Sequence, residues 1–115
     1  MTNTEQQYDS AILLCKDIFL KKMQDYGTAW RNLRPTSITD QIFIKAQRIK
    51  SIEEKGTQKV SDGIAGEYKG IINYCAIALI QLELLNDKRV ELPHEEVEKL
   101  FNKHISVTKK LMLDK

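Results

Sequence analysis

Proline and glycine are scarce in this chain, with two and five copies among 115 residues. Both prolines lie outside the strongest periodic runs, so the scarcity favours helices. Cysteine is nearly missing as well. Cys15 and Cys75 both sit on apolar helix faces and read as reduced core residues of a cytosolic protein. There is no excess of charge: the net value is +2, too small to argue for a nucleic-acid partner by itself. No apolar run is long enough for a bilayer span. The opening MTNTEQQYDS has neither the basic start nor the apolar stretch of a signal peptide, which makes cytoplasmic the expected location and a membrane partner unexpected. What is there, 42% hydrophobic and 30% charged residues, is ordinary for one soluble domain with one modest core.

The longest apolar run is EYKGIINYCAIALIQLELL, residues 67–85, and polar residues break it at places a plain core helix would not choose. Glu67, Gly70 and Asn73 recur every three residues and form a narrow stripe at the start of that helix. Ile71, Tyr74, Ala78, Gln81 and Leu85 continue at helical spacing. The run reads as the central buried helix of a small bundle, with its polar patch as the place to look for function.

Three more helices are expected. The first starts near Asn3 or Thr4, carries Tyr8, Ile12, Cys15, Phe19 and Met23 on one face, and stops at Gly27, a natural left-handed terminator. The segment DYGTAWRNLRPTS then forms an irregular connection holding the single tryptophan, Trp30, beside Arg31 and Arg34. It reads either as a loop anchored by Trp30 or as a pocket cover offering guanidinium groups to a phosphate. The second helix spans about 38–55, between Ser37 and Gly56. Its seam of Ile38, Ile42, Ile49 and Ile52 has Lys45 at the intervening position, with Arg48 one turn on. A cation there has to reach a carboxylate, a phosphate or solvent. GTQKVSDGIAG, residues 56–66, shows no period and reads as a polar link. The last helix follows Pro93, with acids at its start and His104 beside its apolar face. That histidine reads as a satisfied, half-buried residue, since no second His or Cys lies at metal-ligand spacing.

YDSAILLCKDIFLKK, residues 8–22, aligns with FNKHISVTKKLMLDK, residues 101–115. The chain therefore divides into a helical domain over 1–90 and a fourth helix in 91–115, which reads equally as the first helix of a second copy.

The elements KKMQDYGTAW, IKAQRIKSIEE and EYKGIINYCAIALIQLEL, in this order, resemble the nucleotide-modification-associated relatives of the all-α nucleotide pyrophosphohydrolases, the MazG and dimeric dUTPase-like superfamily. The resemblance covers about residues 8–85. It implies an all-α four-helix bundle that assembles as a dimer or higher homo-oligomer. It also implies Mg²⁺-dependent conversion of a nucleoside triphosphate to the monophosphate and pyrophosphate. Active members hold the metal with acids from two helices, the second pair spaced Glu-x-x-Asp. Here that element falls on Glu67 and Gly70, so its aspartate is missing, and Asp40, Glu53 and Glu54 do not reproduce the Glu-x-x-Glu of the earlier helix. Carried over residue by residue, Glu67 with Asp62 or Asp25 would ligate Mg²⁺, and Glu67 and Lys45 would be catalytic. Lys45, Arg48 and Asn73 would bind phosphate, with Tyr26 or Trp30 as a platform for the base. Three readings stand side by side: a pyrophosphohydrolase with a degenerate metal site, a non-catalytic binder of a nucleotide or other phosphate-bearing small molecule, and a helical scaffold or oligomerisation module in which Lys45 pairs with Glu67. Nucleic-acid binding through Arg31, Arg34, Lys45, Arg48 and Lys50 ranks last, because those cations do not share one face and acids lie among them.

Overall fold

The computed structural model describes residues 3–56 and 60–114, without the side chains of 60–62. It is all-α, with four helices in chain order: α1 (Asn3–Tyr26), α2 (Pro35–Lys55), α3 (Val60–Glu83) and α4 (His94–Leu113). One 3₁₀ turn, Ala29–Asn32, sits between α1 and α2. Among the described residues no helix is long and apolar enough to cross a membrane.

Helix α3 is the centre of the bundle, with α2 packed along it and α1 and α4 on its other sides. Ala76, Ile77 and Ile80 of α3 meet Phe19 and Met23 of α1, Ile38 of α2, and Val97 and Phe101 of α4 in one cluster. Burying each larger member contributes about 1.5–3 kcal/mol, which gives helices of modest intrinsic propensity a reason to assemble. α4 is part of this core, and the Tyr8 hydroxyl of α1 donates to its Ile105 carbonyl at 3.0 Å.

The expected stops at Gly27 and Gly56 both appear, with φ of 63° and 59°. These are left-handed values that a glycine adopts without strain. Two boundaries differ. α2 begins at Pro35, before the expected Ser37 signal, because proline's fixed φ suits the first helical position and its missing N–H costs nothing there. The described part of the polar link, residues 60–66, is helical and opens α3. Gly63 lies against α2, where an added Cβ would stand 3.3 Å from Ile52 Cδ1. Close packing there outweighs the propensity cost of about 1 kcal/mol for a glycine in a helix.

The link between α3 and α4 is tied by charge. Asp87 accepts from the Arg89 backbone N–H at 2.9 Å and from its guanidinium at 2.7 Å. Those bonds, led by the guanidinium, hold the Asp87 carboxyl down at about 2. Glu83 accepts from Lys103 and lies 2.9 Å from His104 Nε2, and its carboxyl is also lowered, first by the Lys103 bond. His104 is thus half-buried and partnered. A folded pKa below the unfolded value near 4 means the Asp87 bonds stabilise fully above that value and are lost as pH falls toward 2. An NMR titration of the Asp87 carboxyl should therefore show a midpoint near 2. A midpoint near 4 would count against the bonds.

Candidate functional site

Tyr26, Trp30, Lys45 and Asn73 line a cavity of about 400 Å³ between the end of α1, the 3₁₀ turn, α2 and α3, whereas Glu67 and Arg48 are not among its lining residues. α1 supplies Ile18, Lys22 and Tyr26, the turn supplies Trp30, and α2 supplies Lys45. α3 supplies Gly66, Lys69, Gly70, Asn73 and Tyr74, which recur at helical spacing on the face that looks into the cavity. Its walls are largely apolar, and among the described residues its charged lining side chains are the three lysines, with no acid among them.

Lys45 reaches this cavity from the seam of α2, where Ile38 and Ile49 beside it are buried. Its Nζ is 3.6 Å from Glu67 Oε2 and 5.9 Å from the centroid of the Tyr74 ring. Arg48 approaches the other Glu67 oxygen at 3.8 Å from a more exposed position. Both separations exceed a hydrogen bond, so Glu67 is neutralised by two cations without engaging their N–H groups. Glu67 Oε2 is buried and has no hydrogen-bond partner.

Asn73 is buried, and its side-chain NH₂ donates to the Cys15 carbonyl of α1 at 3.1 Å. Its Oδ1 is a buried acceptor with no partner. The sequence suggested a donor toward phosphate; one N–H of the amide is committed to α1, and the free Oδ1 adds an acceptor that suits a base N–H or a sugar hydroxyl. Tyr26 is 74% exposed at the cavity mouth, whereas Trp30 is half-buried against the core. The two flank one opening and can offer π-faces to a planar ligand.

Arg31 does not face the cavity. Its guanidinium donates to Gln81 Oε1, to the Arg89 carbonyl at 2.9 Å and to the Asp87 carbonyl at 2.6 Å. It fastens the 3₁₀ turn to α3 and to the link after it, and is thereby committed to structure. The Thr28 hydroxyl helps, donating to the Val90 carbonyl at 2.9 Å and accepting from Leu92 N–H at 3.1 Å. Lys22 and Lys69 line the cavity although the pattern reading passed them over. The available signal was spacing: Lys22 precedes Tyr26 by four residues and Lys69 precedes Asn73 by four.

Of the expected magnesium ligands, the side chains of Glu67 and Asp25 are described and that of Asp62 is not. Asp25 is exposed and not among the cavity's lining residues, and the side chain of Asp62 lies outside the described residues. Glu67 is flanked by Lys45 and Arg48, and Gly70 has no side chain to offer. Among the described residues, no group of three or more His, Cys, Asp or Glu side chains could hold a metal ion. Mg²⁺ prefers oxygen ligands in an octahedron and is usually fixed by one or two carboxylates, and the described candidate Glu67 faces two cations instead.

No curated protein and no solved structure gives a significant match to this chain. A family model does match, over residues 22–82, the segment that holds the end of α1, the 3₁₀ turn, all of α2 and nearly all of α3. That is more than half the chain and nearly every residue around the cavity, and the chain belongs to the family described as nucleotide modification associated domain 1.

Proposed function

We propose that the chain is a nucleotide-binding domain related to the MazG-like pyrophosphohydrolases, with the cavity above as its site. The base lies between Trp30 and Tyr26, the unpartnered Asn73 acceptor meets a base N–H or sugar hydroxyl, and the phosphates lie toward Lys45, Lys69 and Lys22. The observation that carries this reading is an apolar cavity of about 400 Å³ whose charged lining side chains, among the described residues, are all lysines. Its size falls in the range of small-molecule sites, and apolar walls with a few convergent polar groups are their usual make-up. The description of the family supports a nucleotide as the ligand class. Binding without hydrolysis is favoured over the pyrophosphohydrolase reading by the surroundings of Glu67. Activating water for attack on a phosphoanhydride calls for carboxylates free to hold a metal, and this one faces two cations.

Trp30 is the single tryptophan, so its emission reports on the site directly. Titration with nucleoside triphosphates and with the bare nucleosides is expected to give saturable quenching, stronger with phosphates attached. Absence of quenching across ribo- and deoxynucleotides would remove the binding reading. Release of pyrophosphate with Mg²⁺, abolished by EDTA and by Glu67→Gln, would replace it with the enzyme.

A further inference from the structure

We infer that Lys45 is a built-in cation, seated in a notch that Gly70 leaves in α3, and that it holds the phosphate of the bound nucleotide without a metal ion. This rests on the nucleotide reading above. The resemblance to the pyrophosphohydrolases puts an aspartate at position 70, where it would help hold a divalent ion. Here the position is glycine, and a Cβ added to it would lie 2.8 Å from Lys45 Cε, 2.9 Å from Cδ and 3.1 Å from Nζ. All three nearest atoms belong to the Lys45 side chain, and none to the backbone of α2. What a side chain at position 70 would displace first is thus Lys45. The glycine makes room for one lysine to cross α3.

The notch places the ammonium with some accuracy. A lysine stem is flexible and normally loses considerable rotamer freedom when it must bind a ligand. This stem is held down along Gly70, and its side chain is only 20% exposed. Glu67 attracts the ammonium from 3.6 Å and the Tyr74 ring faces it from 5.9 Å. Neither uses up its N–H groups, which remain available to a phosphate oxygen at the cavity wall. Loss of a carboxylate at 70 and gain of a cation in the space it vacates act in the same direction. They exchange a site that attracts Mg²⁺ for one that attracts the anion itself.

The test is calorimetric titration of the whole chain with ATP and with inorganic tripolyphosphate, in EDTA and then in Mg²⁺. Wild type is expected to bind both in EDTA, with Mg²⁺ changing the affinity by less than about threefold. Lys45→Met and Gly70→Ala should each weaken binding by roughly 10-fold or more, the scale of one charge-assisted hydrogen bond. The double variant should be no weaker than Lys45→Met, because both changes remove the same contact. Gly70→Ala should keep or raise the Tm, since alanine favours the helix and the displaced group is the end of a flexible chain. That separates loss of the cation from loss of the fold. Binding that requires Mg²⁺, a Gly70→Ala variant that binds like wild type, or additive losses in the double variant would overturn the inference and leave the nucleotide site standing. No binding by wild type would remove both.

Discussion

Gln81→Leu is expected to lower stability by about 3 kcal/mol and to disorder the rim of the cavity in the same step. Gln81 is a buried polar residue in the most apolar helix of the chain, and every polar atom it has is used. Its Nε2 lies 3.1 Å from the Trp30 carbonyl, 3.3 Å from that of Arg31 and 3.2 Å from that of Leu33. Its Oε1 accepts from the Arg31 guanidinium. One amide thus ties the 3₁₀ turn to the core, and the turn presents Trp30 to the cavity. Leucine has nearly the same volume and would leave no large void, but it would strand carbonyls and a guanidinium N–H in a partly buried place. Each stranded group costs about 1–3 kcal/mol, reduced here where water can reach. Urea denaturation gives the energy, and a red shift of Trp30 emission reports release of the turn. A loss under about 1 kcal/mol with unchanged emission would show that the apolar contacts of Trp30 hold the turn without Gln81.

Gln81 also shows where sequence reasoning stops. Its polarity inside an apolar run is visible from the chain alone. Its partners lie 48 to 51 residues away, in a stretch with no periodic pattern, and only the tertiary fold brings them together. Arg31 illustrates the same limit from the other side. An arginine beside the single tryptophan suggests phosphate binding, yet the carbonyls of Asp87 and Arg89 claim it. Nothing local marks those carbonyls as needing a donor.

Lys45 was legible because its signal is local. A helix fixes which residues share a face, so a lysine among Ile38, Ile42, Ile49 and Ile52 had to reach a carboxylate, a phosphate or solvent, and Glu67 of α3 lies 3.6 Å from it. The spacing of Glu67, Gly70 and Asn73 is equally local; Gly70 and Asn73 line the cavity, while Glu67 is not among its lining residues and faces Lys45 and Arg48. What the glycine is for depends on which atoms occupy the missing Cβ position. Two backbones or one side chain leave the same residue in the sequence. The opening turns of α3 differ for a related reason: two glycines and polar neighbours read as a link, while residues 60–66 are helical and Gly63 lies against Ile52 of α2.

Phe101→Ala is expected to cost about 3–5 kcal/mol, the usual range for emptying a buried aromatic site. Phe101 is 1% exposed, and its ring centroid lies 4.8 Å from that of Phe19 at a tilt of 36°. Phe19 in turn lines the cavity, so the pair couples α4 to it although no α4 residue is among the lining residues. A single domain of this size has about 5–15 kcal/mol in total, and the variant should therefore unfold near physiological temperature. Leu111→Ala is the matching control. It lies further along α4 at 61% exposure and should change stability by less than about 0.5 kcal/mol. The contrast between the two bears on whether the chain after residue 90 belongs with the bundle or begins a second unit. Bound nucleotide should also partly restore the Tm of Phe101→Ala, because a ligand that binds only the folded form stabilises it by mass action. Small, equal losses for both substitutions would mean that α4 is only loosely attached, and that the wall formed by Phe19 stands without it.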